Sequence, residues 1–218
     1  MKALIVYGGW AGHEPGPVSQ IVKKALEGEG FEVEMSETLD AFLDARNLAG
    51  KDVIVPIWTM GKITKEQFKG LDEAIKSGVG LAGCHGGMGD AFRESLGFQY
   101  MVGGQFMAHP GGIIRYRVHI TDPFDPITRG IANFDIESEQ YYMHVDPANV
   151  VLATTPVEGN GATMPVMWKR PWGKGRVFYS ALGHVAGDFD IPEVLETMKR
   201  GILWAAAGKA GPENTCCR

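Results

Sequence analysis

The sequence predicts an α/β fold: a mostly parallel sheet with helices on both faces and an antiparallel extension in its second half. Three observations carry this. Over residues 1–97, apolar β-type runs alternate with amphipathic helical stretches, the pattern of strands joined by helical crossovers. Two of those runs, "KALIVY" and "DVIVPIW", are almost wholly apolar, as strands buried on both faces must be. Later strand-like runs follow one another through turn sequences with no helix between them, which suits antiparallel neighbours.

Taken in order, "KALIVY" is an opening strand that runs into the loop "GGWAGHEPG". In "PVSQIVKKALEGEG", Val18, Ile21, Val22, Ala25 and Leu26 share one helical face, with Pro17 fit for the first turn and Gly28 and Gly30 for the stop. "FEVEM" alternates and reads as a short strand, then a helical stretch leads to "DVIVPIW". "TKEQFKGLDEAIKSG" opens with the capping box Thr64/Gln67, turns Phe68, Leu71 and Ile75 inward and ends at Gly78. The strand of "GVGLAGCHGGMGDAF" follows, stops at Cys84 and His85, and passes through a glycine pair into a helix. In the second half, "IIRYRVHI" alternates as a strand, and "TDPFDPITRGI" is built from Asp-Pro turns. "NVVLATTPV" and "MPVMWKR" are strands, the latter joined through "PWGKG" to "RVFYSAL". The last helix runs through "PEVLETMKRGILWAAAG", with Val194, Leu195, Met198, Ile202 and Leu203 inward.

The 218 residues suit one domain over 1–208, with 209–218 expected as a flexible tail. A net charge of −5, with no Lys/Arg tract, argues against nucleic acid and anionic membrane as partners. No run approaches the ~20 apolar residues of a membrane span, and the start reads as a strand rather than a signal peptide. Of three cysteines, Cys216 and Cys217 sit together in the expected frayed end; this is no disulfide framework, and a reducing cytoplasm is expected.

In open parallel sheets, ligands bind where loops converge at the carboxyl ends of the strands. The sequence delivers Trp10 and His13 there after the first strand, Trp58 and Thr59 after "DVIVPIW", Cys84 and His85 at the strand-to-helix turn, and His184 after "RVFYSAL". His109 precedes a proline and is held extended, while His119 is expected at the surface. His144 lies in "EQYYMHVDP" with Glu139, Tyr141, Tyr142 and Asp146, a mixture able to move protons to and from hydroxyls. Cys84 has two readings, an activated nucleophile or a small apolar filler.

The motifs "GLAGCHGG", "GGQFMAHPG", "DPITRGI", "SEQYYMHVDP" and "WKRPWGKGRVFYSALGH" together resemble the ThuA-like family, named for trehalose utilisation, from His13 to about Trp204. That family is similar in fold to class I glutamine amidotransferases. The resemblance therefore implies a flavodoxin-like three-layer sandwich. It matches His85 to the family's turn histidine and Cys84 to a position that is ordinarily apolar. An amidotransferase triad would want a late His-x-Glu pair, and His184 is followed by Val185 and Ala186. Asp125 stands where many relatives carry histidine before "PIT". The resemblance further implies disaccharide catabolism, beside sugar oxidoreductases that form 3-keto sugars.

The leading expectation is a carbohydrate enzyme acting on trehalose, a related disaccharide or its 3-keto derivative by isomerisation, elimination or hydrolysis. His85, Glu139 and His144 are its expected catalytic groups, with Trp10, Trp58 and Tyr142 as sugar-binding surfaces. His13, His85, His109 and His184 are candidate ligands of a divalent metal such as zinc. The partner is a small carbohydrate, and a homo-oligomer is compatible with the sequence. The competing readings are a non-catalytic sugar-binding or regulatory module and a Cys84 thiol hydrolase or amidotransferase.

Overall fold

A computed structural model of the chain describes residues 1–159 and 161–209. Strands β1 (Lys2–Gly9), β2 (Glu32–Ser36), β3 (Val53–Thr59) and β4 (Gly80–Cys84) alternate with helices α1 (Pro15–Gly28), α2 (Ala45–Ala49) and α3 (Lys65–Ser77). The short helices α4 (Gly86–Gly89) and α5 (Leu96–Val102) follow, then β5 (Gly104–Ala108), β6 (Ile113–Ile120), β7 (Phe134–Glu139), β8 (Tyr142–Val145), β9 (Val150–Pro156), β10 (Thr163–Trp172) and β11 (Gly175–Ser180). Helix α6 (Pro192–Ala206) closes the order.

Nine strands form one sheet in the order β2-β1-β3-β4-β11-β10-β9-β6-β7, while β5 and β8 pair as a separate antiparallel ribbon. Strands β2, β1, β3, β4 and β11 are parallel, and pairing from β11 outwards is antiparallel. The mixed α/β class expected from the pattern is what the chain adopts.

Local chemistry explains the elements that position the site. Thr64 and Gln67 exchange both capping-box bonds at the start of α3, and Gly78 ends it at φ 124°, where glycine carries no Cβ penalty. Strand β3 carries Pro56, which has no N–H to give a neighbour, and β3 pairs with β4 only at Val53 and Ile54. Beyond that point the two strands part, and α4 fills the gap with Gly87 against Ile57 and the Pro56 carbonyl. The core lies on both sheet faces, where Leu4, Ile5, Ile54, Leu71, Trp168, Phe178 and Tyr179 are fully buried.

Three differences from the sequence expectation have physical causes. The helix after His85 is a single turn, because Gly86, Gly87 and Gly89 give it little helical propensity. The stretch between β2 and β3 is a 3₁₀ turn followed by the five-residue α2. Strands β5 and β8 are short and partly exposed, so their alternation is weak, whereas β7 alternates buried and exposed residues from Phe134 but over only six positions. Cys216 and Cys217, and most of the expected tail, lie outside the described residues.

Candidate active site

Four segments bring polar side chains to one edge of the sheet. His13 follows β1, His85 follows β4 and His184 follows β11, all at carboxyl ends of parallel strands. Successive antiparallel pairings make β7 run in the same direction as β11, so Glu139 arrives at this edge as its last residue. His85 occupies the sharp turn with φ 44° and ψ −133°, a left-handed conformation that is costly for a side-chain-bearing residue. Its backbone N donates to Ser180 O at 2.6 Å and Gly89 N donates to its carbonyl at 2.9 Å, which hold the turn. Gly86 must be glycine here, because a Cβ would stand 2.5 Å from His13 Nδ1.

Glu139 is the centre of the group. Its carboxylate lies 3.1 Å from His85 Nε2 and 3.7 Å from each of His13, His109 and His184 Nε2. The rings of His13, His85 and His184 have centroids 4.7 to 5.1 Å apart. Burial opposes the Glu139 charge, but the His85 hydrogen bond and the facing His85, His184 and His109 imidazoles outweigh it and bring the carboxyl down to about 2. Burial, with repulsion from His85 and His184, pushes His13 down to about 3. Burial and His85 lower His184 as well. An ionised carboxylate thus faces imidazoles, two of them held neutral at pH 7.

The tautomers are constrained by what stands behind the rings. Ala181 O can only accept, so the His85 Nδ1 that meets it at 2.9 Å carries a hydrogen. His85 Nε2 then turns to Glu139 either as the second N–H of an imidazolium or with a lone pair that needs a cation between them. His13 Nδ1 is tied to Thr59 Oγ1 at 2.9 Å, which likewise aims its Nε2 at the carboxylate. Tyr141 lies against His85 with ring centroids 3.9 Å apart. Contacts of this kind orient imidazoles in metal sites generally.

One donor atom each from His13, His85, Glu139 and His184 lies within 4.8 Å of the others. Donors around a single ion at ~2.0–2.2 Å stand about 3–3.6 Å apart, so side-chain shifts of about 1 Å would close this set on a cation. Three imidazoles and a carboxylate suit zinc and other first-row divalent ions. His109 differs from the other three: its side chain is 42% exposed, and its ring stacks on Phe106 at the mouth.

The remaining expected residues fall in distinct places. Trp10 is 47% exposed and stands edge-on to His13, whereas Trp58 is half-buried against Gly8 and Gly61. Tyr142 is half-buried opposite Ala108, one residue before His109. His144 is not brought to the cluster. Strand alternation turns it away from Met143, which packs into the core, and leaves it exposed opposite Gln105. His119 is half-buried beside Asn133. Asp125 is buried in an ion pair with Lys169, a structural use of that position. Two broad surface hollows, one beside Thr64 and Phe68 and one beside Ile21 and Lys199, contain none of the histidines. The sequence places Tyr141 in the run around Glu139 and Asp188 shortly behind His184, but only the fold reveals their contacts.

Cys84 is buried beneath the turn, and burial together with the Asp188 charge pushes its thiol up to about 12. The strained turn position belongs to His85, itself buried, one residue further on. A thiol this high offers almost no thiolate at neutral pH. We therefore expect Cys84→Ala to retain turnover within about threefold, and the native protein to resist iodoacetamide, as followed by mass spectrometry; rapid alkylation with loss of activity would restore the nucleophile reading.

Comparison with known proteins gives this geometry a context. The family model of ThuA, described as trehalose utilisation, matches residues 2–205. A protein described as ThuA-like from Bacteroides uniformis superposes with a TM-score of 0.80 at 18% identity, covering 94% of this chain and 91% of that one. Another from Parabacteroides merdae gives 0.79 at 19%, covering 96% and 91%. A cytoplasmic protein from Salmonella typhimurium gives 0.66 at 14%, covering 96% and 99%. At these identities the structural likeness speaks for the fold alone. No curated protein matches the sequence.

Proposed function

The chain belongs to the ThuA family of trehalose utilisation, and from that premise we propose that it is a carbohydrate-catabolism enzyme working at the Glu139 cluster. The substrate we assign is trehalose, a related disaccharide or its 3-keto derivative, the last supplied by a sugar oxidoreductase. The observation that carries the reading is the convergence of Glu139 with His13, His85 and His184 at one sheet edge.

In this reading those four residues hold a divalent cation such as zinc, which when bound polarises a sugar carbonyl or a pair of adjacent hydroxyls. Ala181 O keeps His85 in the tautomer that leaves Nε2 free for it, and Thr59 Oγ1 holds the His13 ring so that its Nε2 faces the same centre. His109, exposed at the mouth and 3.7 Å from Glu139, is the group we assign to exchange a proton between sugar and solvent, in place of His144. Trp10 offers a flat face for a pyranose ring beside His13. The reaction classes we assign are isomerisation, elimination or hydrolysis. Cysteine usage supports a cytoplasmic location, and no described helix is long and apolar enough to cross a membrane.

The test is a product screen with trehalose and its 3-keto form, run on protein loaded with zinc, manganese or cobalt and on chelator-stripped protein. Product from at least one sugar, lost on stripping and regained on reloading, is expected. Saturable sugar binding with no product under any metal would favour the non-catalytic module instead.

A further inference from the structure

The loop that carries His184 touches every other segment that contributes to the cluster. Ala181 O accepts from His85 Nδ1 at 2.9 Å. Ala186 N donates to Glu14 Oε2 at 2.9 Å, and Glu14 is the neighbour of His13. The third link is the strongest. A single oxygen, Asp188 Oδ2, accepts from Ser138 Oγ at 2.7 Å and from His184 N at 2.9 Å. Asp188 is only 7% exposed, so both bonds are sheltered from competing water.

Ser138 immediately precedes Glu139 on β7, and neighbours on a strand point to opposite faces. Fixing the Ser138 side chain therefore fixes the roll of the strand, and with it the direction in which the Glu139 carboxylate leaves. The tie matters because β7 is the outermost strand and is paired in the sheet only with β6. The β6 ladder, Tyr116 Oη on the Glu139 carbonyl and Gln140 on Thr155 and Pro156 anchor the end of β7 on its other side, and Asp188 is the link that joins it to the His184 loop.

We propose that Asp188 is a positioning residue for the cation centre, a buried carboxylate that sets the separation of Glu139 and His184 without contacting substrate or ion. This rests on the reading of the cluster as a metal site. Loss of such an outer partner costs about 10–100-fold in metal affinity.

The experiment is a Co²⁺ titration of the stripped full-length protein, followed by calorimetry and by the visible absorption of the bound ion, which reports its coordination geometry. Asp188→Asn keeps an oxygen able to accept both bonds, Asp188→Ala removes it, and Ser138→Ala removes one partner. Thermal melts of the stripped proteins accompany each titration. Asp188→Ala is expected to bind about 10–100-fold more weakly with an altered spectrum, and Ser138→Ala to move the same way, while Asp188→Asn stays within about threefold of wild type. Should Asp188→Ala not fold, Ser138→Ala carries the test alone. Wild-type affinity and spectrum in Asp188→Ala, or in Ser138→Ala where that variant stands alone, would overturn the positioning role and leave the metal reading intact. A wild-type chain that takes up no Co²⁺ would overturn the metal reading itself, and this role with it.

Discussion

His85→Ala is expected to lower kcat/KM by at least about 10²-fold while the protein still folds, because it removes a ligand of the cation, and loss of an outer partner alone costs about 10–100-fold in affinity or activity. The ring touches Glu139, His13, His184 and Tyr141, so its removal opens the middle of the cluster. The fold should survive because the turn is held by backbone bonds from His85 N to Ser180 O and from Gly89 N to His85 O, which alanine can still make. The stability cost comes chiefly from the Ala181 carbonyl, which loses its buried donor; such a group costs about 1–3 kcal/mol. For a chain of this size that amounts to roughly 2–12 °C in Tm. Activity assayed well below the variant's melting point separates the two effects. A His85→Ala protein with wild-type turnover would remove His85 from the chemistry.

The second large effect is expected from Glu139→Gln, which keeps the shape and removes the one carboxylate ringed by imidazoles. Cation affinity should fall by more than the ~10–100-fold that outer partners command, because a ligand and its charge are both lost. The metal-free protein should show a second, opposite signature. The Glu139 carboxyl is about 2 in the fold against an ordinary 4.5, so its contribution to stability is complete above pH 4.5 and is lost as pH falls towards 2. His13 acts in the same sense over a higher window: its folded value of about 3 against 6.5 makes the unfolded chain take the proton first, and stability declines as pH drops below 6.5. Stripped wild-type protein should therefore lose Tm steadily from pH 6.5 downwards. Glu139→Gln should lose Tm less steeply below pH 4.5, where only the His13 share of the loss remains. Melting curves between pH 7 and 3 check this, and parallel slopes in both proteins would contradict the ionised Glu139.

Much of this arrangement was legible in the sequence because parallel strands announce themselves. Their apolar runs locate the sheet edge, and the histidines after "KALIVY", at the end of "GLAGC" and after "RVFYSAL" could be assigned to it from order alone. Glu139 stood out by residue type, yet His144, five residues on, was equally plausible until β8 was seen to turn it outwards. A run of two tyrosines, a methionine and a histidine carries too little alternation to reveal a short strand. Contacts made through the backbone or between distant loops leave no mark on composition. The Ala181 carbonyl behind His85 and the Asp188 oxygen shared by Ser138 and His184 are of that kind. The family resemblance favours His85 over Cys84 at the turn, and the dihedral angles place His85 in the strained conformation.

X-ray absorption spectroscopy of the stripped protein reloaded with one equivalent of Zn²⁺ addresses the shared imidazole–carboxylate centre most directly. The account predicts a first shell of nitrogen and oxygen at about 2.0–2.2 Å, with outer-shell scattering from three imidazoles that drops to two in His184→Ala. Weak, substoichiometric zinc with a water-like shell, or a sulfur ligand, would contradict it.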